Sequence, residues 1–249
     1  MKVHVRLFAG LHDLLGERNV TLELSEGATV ADLREQLSRR YPVITPYLPT
    51  LVCAVAEEYA TPDHQLQEGD DVALIPPVSG GSDQTGTGNR EQGTRSEDEQ
   101  YFLVTENPLN ASRLAELVRR DESGAVALFS GVARNESDGR RVLALEYDAY
   151  PEMAARKLRE VAEEVRARWP ITGIAIHHRI GRLAIGEASL LVAVSAAHRR
   201  ESFEACQYAV DRVKQTVPIW KKEIWEDGEG AWVAGHPVDV PERIARPQA

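Results

Sequence analysis

Residues 82–100 carry no aliphatic and no aromatic side chain, only Gly, Ser, Thr, Asn, Gln and charges. Such a stretch cannot bury enough apolar surface to offset the entropy of ordering it, so a disordered linker is expected there. As a flexible coil it would span roughly 24 Å r.m.s.. A 249-residue chain cut at this point is expected to fold as two bodies, one from residues 1–81 and one from residues 101–249.

In the first body, Lys2–Ala9 alternates as a strand with Val3, Val5 and Leu7 on one face. Thr21–Leu24 reads as its hairpin partner after a turn at Gly16. Thr29 can cap a helix in which Val30, Leu33 and Leu37 recur at helical spacing before the Tyr41-Pro42 stop. Leu51–Ala56 and Asp71–Ile75 are two further short strands. Two strands, a helix and two more strands predict an α+β roll, one helix packed across a mixed sheet. The segment leaves as Pro76-Pro77-Val78-Ser79-Gly80-Gly81.

In the second body, Ala111–Arg120 reads as a short helix and Gly124–Arg134 as a strand with Val126, Leu128 and Val132 on one face. Val142–Tyr150 is another strand, and Met153–Trp169 an amphipathic helix with Ala154, Leu158, Val161 and Val165 in register. Gly173–Ile180 and Ala188–Ala197 are strands around a turn region at Gly181–Gly186. Glu201–Val217 is a second long helix closed by Pro218, and Trp220–Trp225 with Ala231–Ala234 suggests a terminal hairpin. The pattern predicts an α/β domain.

Charge is uneven. Lys and Arg against Asp and Glu number 6 and 12 in residues 1–81, 2 and 5 in residues 82–100, and 21 and 22 in residues 101–249. An acidic body beside a near-neutral one argues against nucleic acid as partner and leaves room for docking on a locally basic surface. The longest apolar runs are too short to span a bilayer, and the N-terminus lacks the pattern of a signal peptide, so a cytoplasmic location is expected. Cys53 and Cys206 show neither a zinc-binding nor a disulfide spacing and read as core residues.

Gly80-Gly81 has two readings. It could simply open a flexible linker, or it could be the tail of a ubiquitin-like carrier, where a residue without Cβ can thread a narrow channel to a reacting centre. Cations gather near element ends in the second body: Arg134, His198-Arg199-Arg200, Lys214 and Lys221-Lys222. Solvated surface charge is the ordinary reading of any one of them. Lys214 departs from it, because it lies within about 50° of the apolar stripe Phe203, Cys206, Val210, Val213 and Val217. It is expected either to snorkel or to face a cleft. Arginine forks at Arg134 and Arg199, with His198, suit a phosphate-bearing anion.

The phrases VRLFAGLHDLLG, ATVADLREQL and EGDDVALIPPVSGG resemble the small, sulfur-carrying subunit of molybdopterin synthase over nearly all of residues 1–81. GAVALFSGVARN, LEYDAYPEMA, HHRIGRLAIGE, SAAHRRESFEAC and VKQTVPIWKKE resemble its large subunit over residues 105–235. Each half is the other's expected partner. The resemblance implies a ubiquitin-like β-grasp domain followed by a two-layer α/β domain of the large-subunit type. It implies that the family's catalytic lysine falls on Lys214 and a second active-site lysine on Lys221, with Arg134, His198 and Arg199 at the anion-binding positions.

The implied reaction moves sulfur from a thiocarboxylate on the carrier's terminal glycine to cyclic pyranopterin monophosphate, twice, to build a dithiolene. No cofactor or metal of the protein's own is implied. An adenylating enzyme, a sulfur donor and dimerisation through the second domain are expected. Because Gly81 is amide-bonded to Ser82, the same chemistry implies a processing protease that cuts after Gly81. Two rival readings are a noncatalytic ubiquitin-like module tethered to a dimeric scaffold and a carrier for another sulfur pathway.

Overall fold

The computed structural model describes residues 1–78 and 100–233, which fall into two compact units. Gly80, Gly81 and residues 82–99 of the expected linker lie outside the described residues.

The first unit contains β1 (Lys2–Leu7), α1 (Gly10–Leu15), β2 (Asn19–Glu23), α2 (Val30–Arg40), β3 (Val52–Val55), β4 (Glu58–Ala60) and β5 (Asp71–Ile75). The sheet order is β2-β1-β5-β3-β4, with β1 and β5 parallel and the other pairs antiparallel. The helix start at Thr29 is a capping box. The Asp32 N–H donates to the Thr29 hydroxyl, and the Thr29 N–H donates to the Asp32 carboxylate at 2.7 Å. That backbone bond holds the Asp32 carboxyl below its usual range. Val30, Leu33 and Leu37 of α2 share one core with Val3, Val5, Leu7, Leu22 and Leu74 of the sheet. One helix across a mixed sheet with parallel central strands is the β-grasp arrangement.

The second unit contains β6 (Phe102–Thr105), α3 (Ala111–Val118), β7 (Ala125–Val132), β8 (Glu136–Ser137), β9 (Arg140–Ala149), α4 (Pro151–Arg168), β10 (Ile171–Arg179), β11 (Gly181–Ala184), β12 (Ala188–Ala196), α5 (Arg199–Thr216), β13 (Ile219–Trp225) and β14 (Gly230–Trp232). One sheet runs β6-β10-β12-β7; a second runs β11-β9-β13-β14, with β8 paired to β9. Strand alternation gives the first sheet two apolar faces. Leu158, Val161 and Val165 of α4 and Ala205, Ala209 and Val213 of α5 pack on Ile174, Ile176, Val192 and Val194. On the opposite face, Leu114 and Val118 of α3 pack on Ala175, Leu191 and Ala193.

Three sequence expectations change. Leu128 and Val132 are 43% and 55% exposed, whereas Ala127 is buried. The eight-residue α3 is about 12 Å long and covers that face only near Val126. Phe203 is 65% exposed and off the packed stripe of α5, which is built from small residues at its first turns. The short strands β4, β6, β8 and β11 carry too few residues to show a period and were not anticipated; β11 occupies most of the turn region expected at Gly181–Gly186. Among the described residues, no helix is long and apolar enough to cross a membrane.

Candidate functional site

The helix α5 organises the candidate site. Near its C-terminal end, the Arg212 guanidinium donates to both carboxylate oxygens of Glu164 on α4, at 2.8 and 3.1 Å, and to the Gln215 side chain at 3.0 Å. The Tyr208 hydroxyl donates to the same carboxylate at 2.8 Å. Burial, then Glu164, pushes the Tyr208 phenol up to about 12. Two turns of α5 are thereby clamped to α4 just before Lys214, which stands exposed in the last turn. A cation there complements the negative end of the helix dipole.

At the other end the logic inverts. His198 is the N-cap and Arg199 the first residue of α5; both are exposed. Cations at the positive end of a helix are unfavourable for the helix but add to its attraction for an anion. Gly124 belongs to this end: its N–H donates to Ala196 O at 3.0 Å, and a Cβ on it would run into the Ala197 carbonyl.

Topology decides which residues share an end. The helix α5 returns antiparallel to β12, and β7 is antiparallel to β12. The C-terminal ends of β7 and α5 therefore coincide, which brings Arg134, two residues past β7, to the end that carries Lys214. Lys214 lies fifteen residues beyond Arg199, about 22 Å along the axis. One copy of the chain thus gathers Arg134 and Lys214 at one end and His198 and Arg199 at the other.

Lys221 lies on β13, across from Tyr147 of β9. Its ammonium sits 3.2 Å from Glu223, a carboxylate only 7% exposed. Alternation along Trp220-Lys221-Lys222-Glu223 puts Lys221 and Glu223 on one face. The Tyr147 ring meets His178 edge-on at 5.2 Å, and the Ser189 hydroxyl lies beside its phenol. Burial first, then Glu223, works to raise the Tyr147 phenol, while the Ser189 hydroxyl opposes them. Burial also pushes the His178 imidazole down to about 4. The Ser189 hydroxyl donates to Gly131 O on β7 at 3.2 Å. Lys221 is therefore linked, through Tyr147 and Ser189, to the strand that delivers Arg134.

Sequence reasoning named the five cations but not Glu223, Tyr147 or Ser189. The period-two pattern around Lys221 could have pointed to Glu223; the other two depend on pairing between distant strands. Phe129 is half-buried against the α4–α5 core. Cys53 and Cys206 are buried, and burial pushes each thiol up to about 11.

The comparisons fall on both units. The model of the ThiS family matches residues 5–81, and the model described as MoaE protein matches residues 104–216. A molybdopterin synthase catalytic subunit from Nostoc sp. is 45% identical over 137 residues, 55% of this chain and 83% of that protein. Its counterpart from Bacillus subtilis is 46% identical over 132 residues, 53% of this chain and 83% of that protein. The crystal structure of molybdopterin synthase from Staphylococcus aureus superposes with a TM-score of 0.50 at 40% identity, covering 53% of this chain and 96% of that one. The chain belongs to the molybdopterin synthase catalytic-subunit family of molybdenum-cofactor biosynthesis, and carries a ThiS-family β-grasp domain in the same polypeptide.

Proposed function

We propose that this chain is a fused molybdopterin synthase that transfers sulfur from a thiocarboxylate on Gly81 to cyclic pyranopterin monophosphate, forming the dithiolene of molybdopterin. The observation that carries this reading is the convergence of Arg134 and Lys214 at one end of α5, with Lys221 linked to the same strand end. The ThiS match ends on Gly81, which supports that glycine as the loaded residue.

In this reading Arg134, His198 and Arg199 hold the phosphate-bearing substrate through charge-assisted hydrogen bonds. Lys214 acts at the reacting carbons and at release of the carrier, as general acid/base or as nucleophile, and Lys221 assists it. The 22 Å between the ends of α5 means that one copy cannot present all five cations to one small molecule. A dimer through the second domain would let a second copy supply His198 and Arg199.

Gly81 needs a free carboxylate before an adenylating enzyme and a sulfur donor can load it. Cleavage after Gly81 by a processing protease is therefore part of the proposal. Intact-mass measurement on protein from its native host tests it: a fragment ending at Gly81 is expected, and a chain found only at full length yet active in sulfur transfer overturns it. Turnover of pre-loaded carrier with the pyranopterin substrate tests the reaction itself. Unaffected function in Lys214→Ala with Gly81 uncut would favour the noncatalytic module.

A further inference from the structure

The site spans two sheets, and one irregular segment joins them. The pairing of β12 with β7 shifts register between Ala188 and Leu190, so Ser189 sits in a β-bulge. A bulge breaks the alternation of a strand and re-aims a side chain. Ser189 uses that freedom. Ser189 is 6% exposed; its hydroxyl donates to Gly131 O at 3.2 Å and lies beside the Tyr147 phenol of the second sheet.

Immediately before the bulge, the chain stitches the far side of the same strand end. The Ala133 N–H donates to Glu187 O at 2.9 Å, and the Gly186 N–H donates to Ala133 O at 2.8 Å. The Glu187 carboxylate is fixed in turn by the Ala184 N–H at 2.7 Å and by the Arg179 guanidinium at 2.9 Å. Ala133 is 2% exposed, and the next residue is Arg134. Opposite Tyr147 on its other side stands Gly181, at φ +77°, so that neighbouring position carries no side chain.

We infer that the bulged segment Gly186–Ser189 is the positioning element of the site, with Ser189 and Tyr147 holding the end of β7 so that Arg134 faces the strand of Lys221. The inference rests on the reading of Arg134 as a substrate-anion ligand. Ser189 and Tyr147 touch no substrate in it; they act through Arg134.

The test is equilibrium titration of the full-length chain with cyclic pyranopterin monophosphate, in a double-mutant design. Ser189→Ala and Tyr147→Phe each remove one hydroxyl at nearly constant volume. Each should weaken binding about fivefold, the worth of one hydrogen bond. Ser189→Thr, which keeps the hydroxyl, should retain most of the affinity. In an Arg134→Ala background, neither substitution should weaken binding further, because non-additivity is the signature of action through a shared group. Hydrogen exchange at the Ala133 amide should accelerate in Ser189→Ala. An equal loss in the Arg134→Ala background, or unchanged affinity in folded Ser189→Ala and Tyr147→Phe, overturns the positioning role. If Arg134→Ala itself binds as wild type, the underlying ligand reading fails instead.

Discussion

The two ends of α5 present cations of similar chemistry in opposite settings. At the Lys214 end, the helix is clamped by a partly buried ion pair, the buried Arg212 to Glu164, and the charge lies where the helix dipole favours it. At the His198 end, Arg200 pairs with Glu204 one turn on, with side chains 81% and 46% exposed, and the dipole disfavours the cations. A rigid end suits chemistry, which needs a group held within a fraction of an ångström. A solvent-facing end where His198 and Arg199 stand exposed at the helix N-terminus suits capture of an anion.

The comparison breaks first on Lys214. Replacing it with Ala should lower turnover of pre-loaded carrier at least about a hundredfold, the usual cost of losing an acid/base group. Near-normal turnover would remove chemistry from that end. Arg199→Ala should instead weaken substrate binding and leave turnover of the saturated enzyme less affected.

Mixing the two variants sharpens the contrast. If the ends meet only between copies, subunit exchange between Lys214→Ala and Arg199→Ala proteins should recover about a quarter of the wild-type sites, since half of random dimers are mixed and each holds one intact site. No recovery above either parent, with exchange demonstrated by mass, would assign the two ends to separate roles.

The ion pairs test rigidity directly. Glu164→Gln leaves Arg212 buried without its carboxylate and should cost about 3 kcal/mol of unfolding free energy in urea titration. The pH dependence of stability probes the Lys221 neighbourhood. His178 is held neutral by burial, its imidazole pushed down to about 4. Its contribution is complete above the unfolded value near 6.5 and is lost as pH falls toward 4, because only the unfolded chain takes up the proton in between. At pH 5 the loss relative to pH 7.5 should be about 2 kcal/mol, and His178→Phe should flatten that part of the profile. A profile identical in both proteins would contradict the assignment. Arg200→Ala, at the exposed end, should leave stability unchanged within error.

Much of the fold is legible because it is written in local patterns. The Thr29 cap is a local signal, the α2 and α4 stripes read directly as periodicity, and Asp71–Ile75 emerges as the strand expected. The failures have local causes too. Leu128 and Val132 obey strand alternation, but the helix that would bury them ends too soon. Phe203 fits a helical stripe on paper, yet the face α5 packs is set by close contact with the sheet, which selects Ala205, Ala209 and Val213.

The candidate site divides the same way. The sequence by itself determined which residue types are available: a lysine beside an apolar stripe, a lysine in an alternating strand, an arginine past a strand end, and a histidine–arginine pair before a helix. It also determined that a stretch without apolar side chains separates two folding bodies. Only the tertiary structure decided that Arg134 and Lys214 share an end while His198 and Arg199 do not, because that follows from strand order and the antiparallel return of α5. The Ser189 bulge and its approach to Tyr147 are likewise tertiary, since they arise where residues more than forty positions apart are forced into register, and no local pattern encodes that.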